Sequence, residues 1–470
     1  MRNQPLFILP LALLLASTAV LPAADAPAKK PNVIIILADD LGWADVGWQG
    51  GKIKTPNLDR LAKEGVILDQ FYTQPQCTPT RTALLTGRYP LRYGMHYGVV
   101  LPYSTWGLPK TALTLPELLR REGYRTGMVG KWHQGHHLPE MLPECRFDHF
   151  FGCYKGSLDY FAHRFPNGTD DLHRNGQTVR EEGYATFLFA RESARFLETA
   201  PQDRPFFLYL AFNAPHSPLQ APPASVEKYK DLGATPRATY AGMIDAMDEA
   251  IGTVLAALEK SGRRDQTLIL FASDNGGESV GKISDNGPLR REKGTSYEGG
   301  IRVPAFANWP GHIKAGRRTS QLMHAVDILP TVLEIVGAPP RTADDTDGLS
   351  MAPALLADRA VARPAMPIVS GPENFWNALR DGDWKLVTIP VPEHIAPDGN
   401  YSTSRVELYR ISDDPYEKRD LAAAEPARVA AMRSSLKAWF DRAVPSEFSL
   451  SQAKPPRVQV IETSTGSKGL

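Results

Sequence analysis

Five short stretches carry side chains able to do chemistry: Asp39-Asp40, Cys77, Lys131 with His133, His216, and Asp274-Asn275. Three carboxylates and a carboxamide oxygen are hard donors that suit calcium or magnesium, whereas zinc favours Cys and His. Calcium is the expected ion. One Asp after a strand is an ordinary turn or helix cap; two acidic pairs at two strand ends are not. Cys77 lies in Gln76-Cys77-Thr78-Pro79-Thr80-Arg81, where a loop enters a helix N-terminus of the kind that favours anions. Residue type and spacing leave it open between a low-pKa thiol nucleophile and a small buried residue.

The elements that must position these residues follow one layout: a β-rich apolar run, then polar or Gly-rich residues, then a helical pattern. The clearest runs are Val33 to Leu37, Arg125 to Val129, Phe206 to Ala211 and Thr267 to Phe271. Helical patterns cover Asn57 to Lys63, Leu115 to Glu122, Tyr184 to Glu198 and Tyr240 to Ser261. The alternation predicts an α/β fold with a mainly parallel sheet. Ligands of such sheets bind beyond the carboxyl ends of the strands, so the residues after each run face one crevice. The Pro-, Ala- and Asp-rich stretch from Asp345 to Pro372 marks a boundary. Beyond it, Asn377 to Arg380 and Trp384 to Thr388 flank Asp381-Gly382-Asp383 as a hairpin, Val406 to Tyr409 adds a strand, and Pro426 to Ala443 reads as a helix.

The chain has 470 residues, 42% hydrophobic and 22% charged, which suits one large domain and a smaller one. A net charge of +1 gives no long-range field, so neither nucleic acid nor an anionic membrane is expected as a partner. Arg2, the apolar run Leu6 to Leu21 and Ala24-Asp25-Ala26 read as a secretory signal and imply a secreted or periplasmic protein with no membrane contact after cleavage. The expected division is a signal peptide over 1–26, a catalytic domain over 27–355, a C-terminal antiparallel sheet plus helix over 356–445 and a tail over 446–470. Only Cys77, Cys145 and Cys153 are present, too few for a disulfide scaffold. Cys145 and Cys153 are either paired across a short loop or free and buried. His136 and His137 read as solvated loop residues. The aromatic-rich stretch Phe147 to Phe165 reads as core or as the lining of a sugar cleft.

Cys77-x-Pro79-x-Arg81 followed by Thr86-Gly87-Arg88 resembles the signature at which sulfatases have a cysteine converted to formylglycine. The resemblance continues through Gly130-Lys131-Trp132-His133, Asp274-Asn275-Gly276-Gly277, Pro288-Leu289-Arg290 with Lys293, and Glu298-Gly299-Gly300-Ile301-Arg302-Val303-Pro304. Leu138-Pro139-Glu140, Phe147 to Gly152, Gly156 to Tyr160 and Tyr240 to Ala250 resemble the arylsulfatase B-like branch, which includes N-acetylgalactosamine-4-sulfatase. The fold this implies is alkaline-phosphatase-like: a large mixed, mainly parallel sheet flanked by helices, with a smaller C-terminal α+β domain.

Carried over by position, the resemblance implies one calcium ion held by Asp39, Asp40, Asp274, Asn275 and the formylglycine made from Cys77, which Arg81 steadies. The hydrated aldehyde is the implied nucleophile toward sulfur. Lys131 and Lys293 grip the sulfate oxygens, His216 protonates the leaving oxygen, and His133 helps the second hydroxyl expel sulfate. A formylglycine-generating maturation enzyme is an implied partner and a sulfated carbohydrate, such as a 4-sulfated N-acetylgalactosamine, the implied substrate. Gln134, Arg146 and Glu292 depart from the family pattern without removing a catalytic group. Two other readings stand beside this one: a phosphodiesterase or phosphonate hydrolase on the same fold, and a sulfated-glycan-binding protein without turnover.

Overall fold

The computed structural model describes residues 29–233, 235–342, 344–391 and 402–446. The expected signal peptide and nearly all of the expected tail lie outside them. No helix among the described residues is long and apolar enough to cross a membrane.

The strands are β1 Asn32–Ala38, β2 Val66–Leu68, β3 Phe71–Tyr72, β4 Arg125–Lys131, β5 His149–Cys153, β6 His173–Arg174, β7 Gln177–Thr178, β8 Phe206–Ala211, β9 Thr267–Ser273, β10 Ala305–Asn308, β11 Arg317–Thr319 and β12 Met323–His324. They are followed by β13 Met366–Val369, β14 Asn377–Asp381, β15 Trp384–Pro390 and β16 Ser404–Arg410. The helices are α1 Pro56–Lys63, α2 Cys77–Thr86, α3 Leu115–Arg121, α4 Ala185–Glu198, α5 Pro223–Glu227, α6 Thr235–Lys260, α7 Glu298–Ile301, α8 Ile328–Ile335, α9 Ala352–Ala357 and α10 Pro426–Phe440. Ten strands form one sheet in the order β11-β2-β10-β9-β1-β8-β4-β5-β6-β7. Its centre, β9-β1-β8-β4-β5, is parallel, and β10 runs antiparallel to β9 and β2. The sheet is therefore mixed and mainly parallel, as the alternation predicts.

Why β1 reads as an unbroken apolar run is plain from its neighbours. Val33, Ile35 and Leu37 enter the core under α2, α3 and α8, while Ile34, Ile36 and Ala38 enter the core under α1, α4 and α6. A strand covered on both faces has no polar side. The helices stop where backbone chemistry requires it: α2 ends at Gly87, whose φ of 67° lets its N–H reach the Ala83 carbonyl at 2.9 Å. Thr114 and Glu117 form the capping box that starts α3.

A second, antiparallel sheet, β13-β14-β15-β16, contains the predicted hairpin, with Asp381 opposite Trp384. Its two faces have different partners. Ile368, Ala378, Val387 and Tyr409 join the core of the large sheet, whereas Leu379, Leu386 and Leu408 pack on Met432 and Leu436 of α10. The period-two alternation thus splits the small sheet between two cores, one of which it shares with the large one. The segment expected as a boundary carries α9 and β13.

Candidate active site

The ladder register aligns the strand ends. Ala38 lies opposite Ser273, Leu37 opposite Ala211 and Ala211 opposite Gly130, so β1, β8, β9 and β4 finish side by side. The residues that follow are delivered to one place: Asp39 and Asp40 from β1, Asp274 and Asn275 from β9, His216 from the loop after β8, and Lys131 and His133 from the end of β4. Cys77 opens α2 above them, and Lys293 comes from the irregular stretch before α7. Asp40 has φ 64° and His133 φ 55°, left-handed backbone that turns each side chain away from its strand direction.

The contacts are short. Lys131 Nζ donates to Asp39 Oδ2 at 2.5 Å, and the Cys77 thiol lies 3.4 Å from Asp39 Oδ1. Arg81 donates from Nε and Nη2 to Asp274 Oδ2 at 3.2 and 2.8 Å and from Nη1 to the Lys131 carbonyl at 2.9 Å. Lys293 Nζ donates to Asp40 Oδ2 at 2.6 Å, and His216 Nε2 lies 3.7 Å from the same oxygen. Asn275 donates to Asp40 Oδ1 at 2.6 Å, and the Asp40 backbone N–H reaches Asp274 Oδ1 at 3.2 Å.

Arg81, Lys131, Asp39 and Asp274 are fully buried, so the charges act through little water. Burial pushes the Asp40 carboxyl up, but Lys293, His216 and Lys131 outweigh it and hold it well below the usual range. Burial and the neighbouring Asp39 raise Asp274 to about 6. Burial, reinforced by Asp274 and Asp39, pushes the Cys77 thiol far up. As a thiol, Cys77 is a poor nucleophile here.

The two histidines have assignable protons, because each faces a carbonyl that only accepts. His133 Nε2 donates to the Val100 carbonyl at 3.0 Å, which leaves Nδ1 as a buried lone pair without a partner. His216 Nδ1 donates to the Ser217 carbonyl at 2.6 Å, which leaves Nε2 facing the crevice. Burial, with Lys293 and Lys131, lowers His216 to about 3, so the ring is neutral here. An acid role requires it to gain a proton as an anion arrives beside it.

The sequence-derived residues Asp39, Asp40, Cys77, Arg81, Lys131, His216, Asp274, Asn275 and Lys293 are joined by these direct contacts. His133 sits one step away: its carbonyl accepts from Thr78 Oγ1 at 3.0 Å, and Thr78 follows Cys77. Sequence reasoning missed the groups that hold this arrangement. Gln134, fully buried, donates to the Thr78 and His133 carbonyls, both at 2.9 Å, and accepts from Thr82 at 2.7 Å. It fastens the end of β4 to the first turn of α2, so its departure from the family pattern is a fitted one. Tyr240 Oη donates to the Asp40 carbonyl at 2.9 Å, and the one proton of Tyr160 Oη lies between the Asn213 and His216 carbonyls, 2.5 and 2.8 Å away. No local signal marks such long-range bonds.

Other expectations resolve simply. Cys145 is exposed and Cys153 buried, and neither is in a disulfide. His137 is exposed, but His136 is half-buried and donates to the Pro102 carbonyl. Of the aromatic stretch, Phe147, Phe150, Phe151, Tyr154 and Tyr160 are core, and Phe161 is exposed.

The donor set fits a hard divalent cation. Ligand atoms of Asp39, Asp40, Cys77 and His216 lie within 4.8 Å of one another. Asn275 Oδ1 is buried with no hydrogen-bond partner, an orphaned acceptor of the kind a cation satisfies. Asp274 differs, since Arg81 and the Asp40 N–H occupy its oxygens.

Residues 31–338 match the Sulfatase family model. Arylsulfatase J of Mus musculus is 34% identical over 91% of this chain and 78% of its own. N-acetylgalactosamine-6-sulfatase of Mus musculus is 36% identical over 75% of this chain and 71% of its own. The crystal structure of Ps i-CgsB in complex with k-i-k-neocarrahexaose superposes with a TM-score of 0.82 at 34% identity, covering 90% of this chain and 95% of that one.

Proposed function

The chain belongs to the sulfatase family, whose chemistry is the hydrolysis of sulfate esters, and from that premise we propose that it removes sulfate from a carbohydrate through a formylglycine made from Cys77. The single observation that supports this best is the placement of Cys77 at the start of α2, 3.4 Å from Asp39 and among two buried cations, Arg81 and Lys131, and a half-buried one, Lys293. Its thiol is held protonated, which suits a residue that acts only after oxidation to an aldehyde.

The residues present fit calcium, which Asp39, Asp40, Asn275, residue 77 and Asp274 would hold, with Arg81 still donating to Asp274 Oδ2. Bound there, the ion supplies Lewis acidity that lowers the pKa of the nucleophile and polarises a sulfate oxygen. The rest falls to the chain. Lys131 and Lys293, each now on a carboxylate, turn to the sulfate oxygens and balance charge that grows as the S–O bond stretches. Arg81 keeps Asp274 in place. His216 Nε2 faces the departing sugar oxygen, and the Nδ1 lone pair of His133 takes the proton that frees the sulfated residue.

The substrate proposed is a sulfated N-acetylhexosamine or galactan unit. N-acetylgalactosamine-6-sulfatase and the carbohydrate-bound Ps i-CgsB are both similar to this chain, and neither singles out the 4-sulfatase branch. The expected specificity for 4-sulfated N-acetylgalactosamine is therefore weighed directly against 6-sulfate. The test is sulfate release from 4-sulfated and 6-sulfated N-acetylgalactosamine saccharides and from an aryl sulfate, with Cys77→Ala as control and the mass of the Cys77 peptide measured beside it. Release from one saccharide assigns the position. An aldehyde-bearing protein that cleaves neither saccharide but cleaves aryl sulfate sinks the glycan, and a thiol in the native protein sinks the mechanism.

A further inference from the structure

Lys293 is the one cation of the site that no helix or strand carries. It stands in an irregular stretch from Asn286 to Tyr297, yet its ammonium must lie within a few tenths of an ångström of a useful place. One set of bonds ties its stretch to the loops after β3 and β9: the Gly294 N–H donates to the Pro75 carbonyl at 2.9 Å, the Lys293 N–H to the Gly277 carbonyl at 3.4 Å, Asn286 Nδ2 to the Gly277 carbonyl at 2.8 Å, and the Gly277 and Ser279 N–H groups donate to Asn286 Oδ1 and Glu292 Oε2, both at 2.9 Å. A second set, flanking Lys293 itself, comes from the small sheet.

On one side of Lys293, Arg290 Nη1 donates to Glu407 Oε2 at 3.2 Å and to Tyr409 Oη at 2.6 Å, and its guanidinium lies 4.0 Å over the Tyr297 ring. On the other side, Tyr297 Oη donates to Glu407 Oε2 at 2.6 Å, and Ser296 Oγ to the Trp376 carbonyl at 3.0 Å. Glu407 thus holds both ends of the loop with one oxygen, which Tyr409 also contacts. It is 7% exposed and sits on β16, more than a hundred residues away in sequence. A carboxylate placed so deeply persists because its donors are in place.

We infer that the small sheet is a clamp for the anion-gripping lysine, and that Glu407 is a positioning residue acting on the sulfate through Arg290, Tyr297 and Lys293. This rests on Lys293 holding sulfate, as proposed above. The clamp acts on the sulfo group rather than on the leaving group, so its effect is the same for every sulfate ester.

The experiment compares Glu407→Gln and the milder Tyr297→Phe, each alone and in a Lys293→Ala background. Two readouts are taken, both with calcium added: calorimetric affinity for inorganic sulfate, and KM and kcat for an aryl sulfate and a sulfated saccharide. Glu407→Gln is expected to weaken sulfate affinity about five- to ten-fold, and Tyr297→Phe about two- to three-fold, with KM rising in parallel for both substrates. In the Lys293→Ala background neither substitution should weaken sulfate further. A loss that persists undiminished without Lys293, or sulfate affinity unmoved by both variants, overturns the clamp. Sulfate binding that responds as expected in a protein that cleaves no ester leaves the clamp standing and removes only the catalytic reading. Wild-type protein that binds no sulfate overturns both.

Discussion

Replacing Arg81 with Lys keeps the charge and removes the fork. Arg81 spends two N–H groups on Asp274 and one on the Lys131 carbonyl, all fully buried. A lysine ammonium reaches one of these acceptors, because it is a single point on a flexible stem. The change forfeits a charged hydrogen bond worth about 1.5–3 kcal/mol and strands a buried carbonyl at about 1–3 kcal/mol. The sum is about 2.5–6 kcal/mol, which brackets the usual cost of breaking a buried pair. At about 2 °C per kcal/mol for a large domain, the apparent melting temperature should fall about 5–12 °C. Arg81→Met should cost more, since Asp39 and Asp274 then face each other with one cation fewer, and burial already raises Asp274 to about 6. The assay is differential scanning fluorimetry beside kcat/KM on an aryl sulfate. If Lys and Met destabilise equally, or both by under about 1 kcal/mol, Arg81 only fills space and the electrostatic account of the site is wrong.

His216→Asn should lower kcat about 10²- to 10⁴-fold on a sugar sulfate and far less on an aryl sulfate, whose phenolate leaves unaided; equal losses on both would remove the acid role. Asn275→Leu removes the orphaned acceptor without adding charge, so a calcium titration followed by thermal shift should need about ten-fold more ion, and an unchanged midpoint would take Asn275 out of the metal site. Glu417 supplies a pH test remote from the catalytic groups. It is 2% exposed beside Lys385 at 2.8 Å, and burial raises its carboxyl to about 7 although Lys385 opposes this. The folded form therefore holds a proton that the unfolded chain, near 4.5, has lost. Its stability contribution is complete below pH 4.5 and drains away as pH rises through about 7, on the order of 3 kcal/mol. Glu417→Gln should flatten the melting-temperature profile across that window; a wild-type profile that rises there refutes the assignment.

How much of this was legible in the chain follows from which bonds are local. The four runs were readable because strands covered on both faces are apolar on both, with polar residues such as Arg125, Thr126 and Thr267 only where they begin, and their ends were readable because Asp39, Lys131 and Asp274 follow within three residues. Cys77 was visible only as part of a spaced pattern. What the chain could not show were supports made between distant segments: Gln134 bridging β4 to α2, Tyr240 on the Asp40 carbonyl, and Glu407 on the lysine loop. Each is a polar residue whose partner is fixed by tertiary packing, so its own neighbourhood in sequence carries no sign of it. The small sheet read correctly as a hairpin with an added strand. Its alternation also encoded two different faces, but which face meets the large core depends on where the sheet docks.

The charge count of the site bears on how a nearly neutral chain would bind the anion proposed for it. Asp39, Asp40 and Asp274 face Arg81, Lys131 and Lys293, three against three, so the ion-free pocket is balanced, and two of its lysines rest on its carboxylates. Were a dication held by those carboxylates, Lys131 and Lys293 would be repelled from them and the pocket would carry an excess of two positive charges. A sulfate ester brings one negative charge. The released lysines then have nowhere better to point than the sulfate oxygens. On this account metal binding creates the anion site rather than merely adding to it, so sulfate affinity should collapse on chelation far more than the loss of one ligand contact explains. Calorimetry with inorganic sulfate, with and without calcium, decides the point: equal affinity in both would mean that the lysines are already free, against the contacts they make here.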